Sequence, residues 1–128
     1  MRRKEIFTET VALTTAANGI GAAYSNHLTG RLIEIRYTKT DFADGSTMAV
    51  SLDDPFLYIC WQEANVNAST VRRPMAQAHS ILGAALHYND EGDEPVVVPY
   101  ILTGKRIKVA IVAGGATKTG TFTFVYEN

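Results

Sequence analysis

A chain of 128 residues, 46% hydrophobic and 20% charged, is long enough for one domain with a core of its own and too apolar for wholesale disorder. Twelve Lys+Arg against thirteen Asp+Glu leave a net charge of −1, which excludes a nucleic-acid binder working through bulk basic charge. The single cysteine, Cys60, cannot form an internal disulfide, and no apolar run approaches the ~20 residues that span a bilayer.

The N-terminus, Met1-Arg2-Arg3-Lys4-Glu5, is charged and has no apolar stretch behind it, so it is not expected to be a signal peptide. It reads as a basic arm over residues 1–8, ahead of one domain over residues 9–128. From there the dominant pattern is alternation with period two, the mark of half-buried strands. Residues 9–15 are rich in Thr and Val, and residues 22–28 lie between two turn signals. In Leu32-Ile33-Glu34-Ile35-Arg36-Tyr37-Thr38, the residues Ile33, Ile35 and Tyr37 are expected on the inner face. Residues 47–52 repeat the device with Met48, Val50 and Leu52 inward. The apolar run of residues 56–61 predicts a strand covered on both faces.

Residues 62–86 break the rhythm. They predict a long irregular excursion, with a short helix over Pro74-Met75-Ala76-Gln77-Ala78-His79 because proline suits a first helical position. Beyond it, residues 95–102 are Val-rich, and Pro99 lacks a backbone donor, which points to an edge or a bulge. Residues 106–111 alternate with Ile107, Val109 and Ile111 inward, and residues 121–126 alternate Thr121, Thr123 and Val125 with Phe122, Phe124 and Tyr126. Turns are expected at Asn18-Gly19, Thr29-Gly30, Asp44-Gly45, Glu91-Gly92-Asp93, Thr103-Gly104 and Gly114-Gly115, since Gly and Asn accept the positive φ of tight turns. About eight antiparallel strands with frequent turns predict an all-β sandwich of jelly-roll type.

No pattern for catalysis emerges, and an enzyme is not expected. His27, His79 and His87 lack zinc-ligand spacing, and Asp90-Glu91-Gly92-Asp93-Glu94 lacks the residue order of a calcium loop. Cys60 sits in Leu57-Tyr58-Ile59-Cys60-Trp61 as a small hydrophobe without a neighbouring cation. Asp53-Asp54 reads as a turn before Pro55. The stretch Ala113-Gly114-Gly115-Ala116-Thr117-Lys118-Thr119-Gly120 fails the order of a phosphate loop and reads as a hairpin tip. Asn67-Ala68-Ser69 matches a glycosylation acceptor, without a secretory signal to give it meaning. No catalytic residue, metal or cofactor is therefore assigned. Two cationic spots stand as partner-binding candidates: Arg2, Arg3 and Lys4 in the arm, and Arg72 and Arg73 in the excursion. Exposed aromatics, with Tyr24, Tyr88 and Trp61 as candidates, would instead suit a carbohydrate-binding or adhesin module, although Trp61 ends an apolar run and reads as core.

Gly30-Arg31-Leu32-Ile33-Glu34-Ile35-Arg36-Tyr37, Phe42-Ala43-Asp44-Gly45, Trp61, Asn65-Val66-Asn67-Ala68-Ser69, Arg73-Pro74, His79 and Gly83-Ala84-Ala85-Leu86 follow one another in a familiar order. Arg106-Ile107-Lys108-Val109 and Thr119-Gly120-Thr121-Phe122 complete it. The whole resembles a family of small structural proteins of tailed bacteriophages, the capsid cement or decoration proteins of short-tailed phages. The likeness runs from about Val11 to Tyr126 and departs from the family pattern around residues 53–60 and 90–94. It implies a jelly-roll sandwich on the exterior of the virion capsid, present in the host cytoplasm during assembly. Its implied partners are the major capsid protein and copies of itself, as a homodimer or a trimer, without direct nucleic acid or membrane contact.

Overall fold

A computed structural model describes residues 5–53, 59–77 and 97–128. Among these residues the chain forms eleven strands and no helix: β1 (Ile6–Thr14), β2 (Gly21–Tyr24), β3 (Leu28–Lys39), β4 (Thr47–Leu52), β5 (Ile59–Glu63), β6 (Thr70–Arg72), β7 (Met75–Gln77), β8 (Val97–Pro99), β9 (Ile101–Lys105), β10 (Ile107–Val112) and β11 (Thr119–Glu127). One antiparallel sheet has the order β1-β11-β3-β6, with β9 also on β3; the second has the order β2-β10-β4-β5. β7 and β8 pair as a separate ribbon.

The pairing runs first with last: β1 with β11, β2 with β10, β3 with β9 and β4 with β5. Such a chain is one long antiparallel ribbon, rolled so that successive rungs fall in opposite sheets. That is the jelly-roll sandwich the sequence predicts. Eight strands make the ribbon. The other three, β6 to β8, are short and sit between β5 and β9: β6 and β7 fall where the irregular excursion was expected, and β8 in the Val-rich stretch beyond it.

Alternation places the core. Met48, Val50 and Leu52 on β4 and Ile107, Val109 and Ile111 on β10 are buried, as their period-two spacing predicts. They share one core cluster with Val11 and Leu13 of β1, Ile35 and Tyr37 of β3, and Phe122 and Phe124 of β11. Trp61 and Cys60 of β5 belong to it as well. Phe42 fills the end of the sandwich, its ring 6.2 Å from that of Tyr37, and Tyr37 lies 5.1 Å from Phe122.

The structure departs from the sequence reading at several places. Leu32, not Ile33, is fully buried on β3, because the register against β11 shifts between Val125 and Tyr126. Val125 faces Glu34 and Tyr126 faces Leu32, so Ile33 is the extra residue of a bulge and the inward phase changes there. Thr29-Gly30 is not a turn. Gly30 lies inside β3 at φ +133°, where a Cβ would strike the backbone carbonyl of Glu127. Thr103-Gly104 lies within β9, whose register against β3 also shifts there, Thr103 facing Thr29 and Lys105 facing Leu28, and Gly104 takes the positive φ.

Over residues 74–79 there is no helix among the described residues: Met75–Gln77 is β7, paired with Val97–Pro99. A helix of six residues is marginal alone, and cross-strand pairing offered its backbone a better partner. Finally, β5 is not covered on both faces throughout, since Ile59 is exposed. The described part of the excursion, residues 62–77, is thus more regular than expected, and among the described residues Pro99 lies on a ribbon strand paired on one side, a setting that suits its missing donor. At the other end of the chain, Ile6, Phe7 and Thr8, read as part of the arm, belong to β1.

Candidate functional site

The two arginines singled out in the excursion are fixed by carboxylates on opposite sheets. Arg72 faces Ile35 in the β3–β6 register and reaches across to β5. Its Nε and Nη2 donate to Glu63 Oε1 and Oε2 at 2.9 and 3.0 Å, a two-pronged pair. Glu63 also accepts the Trp61 indole N–H at 3.4 Å. The Arg72 hydrogen bond holds the Glu63 carboxyl below its ordinary value, with a smaller contribution from Trp61. The same contact raises Arg72 above its own.

Arg73 lies on the other side of the backbone and donates through Nε to Glu34 Oε2 at 3.3 Å. Glu34 is buried, and Arg36, two residues along the same strand face, donates to its Oε1. The hydrogen bond from Arg36 lowers the Glu34 carboxyl value; burial opposes this, and the bond from Arg73 adds to it. Arg72 and Arg73 therefore straddle the sandwich edge and tie β6 to both sheets. Arg73 retains a largely solvent-exposed side chain and spends one donor on Glu34, so it is the better placed of the two for an external carboxylate. The three cations of the arm, Arg2, Arg3 and Lys4, lie outside the described residues.

Around this edge the surface turns apolar. Val71 on β6, Met75 on β7, Val97 and Val98 on β8 and Ile101 on β9 are all exposed, as is Ile59 at the start of β5. They lie on neighbouring strands, since β6 and β9 both pair with the edge of β3 that faces away from β11 and β8 pairs with β7; within that ribbon Met75 and Val97 share one face and Val98 takes the other. The Tyr100 hydroxyl donates to the Ile59 carbonyl at 3.3 Å and ties β5 to the segment between β8 and β9. Sequence reading found the arginines here but not the apolar side chains. The available signal was the Val96-Val97-Val98 run, which carries no alternating polar face.

The remaining candidates resolve into structural contacts. Asp53 accepts Arg106 Nε and Nη2 at 3.1 and 2.7 Å; Asp54 lies outside the described residues. The Arg106 guanidinium also sits 4.4 Å from the centre of the Tyr24 ring, occupying one of the faces on which a sugar would stack. Trp61 is core, and Tyr88 lies outside the described residues. His27 shares a 2.9 Å hydrogen bond between Nδ1 and the Gly104 carbonyl; His79, His87 and residues 90–94 lie outside the described residues.

The glycine-rich tip is a packed turn. Its Gly114 and Thr117 N–H groups donate to the carbonyls of Gly19 and Ala16, and Thr15 Oγ1 donates to the Gly115 carbonyl at 2.6 Å and accepts the Lys118 N–H. These donors are spent within the fold, which is not how a phosphate cradle is arranged. Among the described residues no three His, Cys, Asp or Glu side chains converge as a metal site. Compared with known proteins, the chain matches no protein-family model and no curated protein.

Proposed function

We propose that the protein is a virion structural protein, a capsid cement that binds the outer surface of a major capsid protein lattice and stabilises the head. The observation that carries this reading is the edge formed by β5 to β9. Exposed apolar side chains lie on its strands near Arg73, on a jelly-roll scaffold whose inward side chains form one core cluster. Apolar exposure rimmed by charge marks a surface made for protein contact. The resemblance of the sequence to phage cement proteins supports the same conclusion. A copy that touches several lattice subunits makes its later contacts intramolecular, so weak single contacts add up to firm attachment. Arg2, Arg3, Lys4, Arg72 and Arg73 are the proposed contact cations, and the protein associates with copies of itself on the capsid exterior.

The test is co-sedimentation of purified protein with expanded, empty capsids of a tailed phage. Saturable, stoichiometric attachment is expected, weakened by Met75→Ser with Val97→Ser and by Arg73→Gln at nearly unchanged melting temperature. Failure to attach, together with labelling of the tail in virions, overturns the reading. Saturable binding of the isolated protein to a glycan array would replace it with a carbohydrate-binding adhesin.

A further inference from the structure

The four sheet edges are not alike. β2 has four residues and β6 has three, the latter followed by Arg73-Pro74. β5 meets β4 across a register shift, and β9 contains the Gly104 irregularity. These are the devices by which edges avoid pairing with another chain. β1 has none of them. It runs nine residues against β11 in unbroken register and contains no proline, lysine or arginine, with Glu9 its one charge.

Its backbone polarity can be read from the ladder. Glu5 and Asn128 exchange both backbone bonds, at 3.5 and 3.1 Å, and Thr15 N donates to Lys118 O at 2.8 Å. Antiparallel pairs alternate between bonded and non-bonded, so the odd residues of β1 bond to β11. The even residues Ile6, Thr8, Thr10, Ala12 and Thr14 therefore turn their N–H and C=O groups to the open side. Among the described residues no backbone partner meets the groups of Ile6, Thr8, Thr10 or Ala12.

We infer that β1 pairs with β1 of a second copy of this chain, antiparallel across a two-fold axis at Thr10, fusing the two β1-β11-β3 sheets into one. The side chains favour a second copy as the occupant. In this register Thr10 faces Thr10, Thr8 faces Ala12 and Glu9 faces Val11, so bonded even positions meet even positions and no like charges oppose each other. Shifting the axis to Glu9 would set two carboxylates directly opposite. The adjoining outer face is neutral and small, with Thr121 and Thr123 on β11 beside Ala12 and Thr10, and Thr10 and Thr123 sharing a 3.3 Å hydroxyl contact. A strand that is complementary to itself about one axis is what an isologous dimer requires. At the open end, exposed Ile6 and Phe7 come opposite Thr14 and Leu13 of the second copy.

This deepens the self-association part of the reading above and rests on it, but it is measured on free protein, so it fails or stands separately from lattice attachment. Sedimentation equilibrium of the free protein is expected to give twice the 14.0 kDa chain mass. Thr10→Pro removes an outward N–H that the β1–β11 ladder does not use, and Thr10→Lys sets two ammonium groups together; each is expected to weaken the dimer roughly tenfold or more, with melting temperature unchanged at concentrations where both proteins are monomeric. Thr10→Cys is expected to form a covalent dimer on mild oxidation, because directly bonded antiparallel residues lie about 5.5 Å apart at Cα, within disulfide reach. Thr121→Cys, one strand inside the edge, is not. A monomer at millimolar concentration overturns the inference, and so does a dimer that survives both Thr10→Pro and Thr10→Lys.

Discussion

Tyr37 offers a counter-intuitive test of how this core is held. Its side chain is among the most buried in the molecule, packed against Phe42 and Phe122, and among the described residues its hydroxyl has no hydrogen-bond partner. Burial raises the phenol above its ordinary value, with Asp41 adding to it, so the group is a neutral, unpaired O–H near neutral pH. An unpaired buried hydroxyl costs roughly 1–3 kcal/mol. Tyr37→Phe removes that cost and keeps the ring contacts. The void left by one oxygen, of order 10 Å³, returns about 0.2–0.3 kcal/mol at ~24 cal/mol per Å³. The net expectation is stabilisation of about 1 kcal/mol or somewhat more. With an unfolding entropy of ~2.1 cal/mol/K per residue over 128 residues, 1 kcal/mol corresponds to a rise of about 4 °C in melting temperature. Calorimetry and urea denaturation of the two proteins at one concentration measure it. A destabilised Tyr37→Phe protein would refute the reasoning, because it would mean that the hydroxyl is satisfied.

Three further outcomes are expected. Gly30→Ala and Gly45→Ala both place a side chain at positive φ, but a Cβ at Gly30 meets the Glu127 backbone whereas at Gly45 it meets open space up to 3.9 Å. Gly45→Ala is expected to cost about 1 kcal/mol and Gly30→Ala clearly more, roughly 2–4 kcal/mol by urea denaturation, and equal losses would contradict this. The lowered Glu34 carboxyl gives stability that is present above the ordinary value of 4.5 and lost as pH falls through the depressed folded value, so Glu34→Gln is expected to flatten the acid side of the stability profile; parallel profiles for the two proteins would count against it. Deleting residues 1–4 is expected to weaken capsid attachment while leaving the melting temperature nearly unchanged, and equal loss of both would make the arm part of the fold.

What the sequence made legible follows from what period-two alternation encodes. β4 and β10 are regular, so every inward residue on them was named correctly. On β3 the alternation gives Ile33, Ile35 and Tyr37, and the structure buries Leu32 in place of Ile33. An extra residue reverses the face of everything before it, and the cause lies in β11, some ninety residues away. The same limit applies to glycine. Asn18-Gly19 and Asp44-Gly45 are local turns, readable locally, whereas Gly30 and Gly104 answer to close backbone approach and to a bulge set by neighbouring strands. At the candidate edge, Arg72 and Arg73 stood out as adjacent cations, but their carboxylates, Glu63 and Glu34, come from different sheets and carry no shared pattern.

The topology also accounts for why the edges carry the argument about function. Rolling one ribbon into a sandwich commits the inward face of every rung to the core and leaves the first strand of the chain, β1, and the segment beyond β5 at the margins. At one margin the chain adds short strands, Arg72, Arg73 and a proline, and shows apolar side chains beside them. At the other it runs nine residues with its even-numbered backbone groups turned outward. The first margin suits a partner whose surface supplies apolar area and carboxylates; the second suits a strand of matching length and no opposing charge. Binding by one margin need not disturb the other, because the core between them is shared by neither contact. Thr10→Pro should therefore change self-association without removing the attachment edge, and Arg73→Gln should weaken attachment while the free dimer persists. Loss of both properties from either substitution would mean that the two margins are coupled through the sheet.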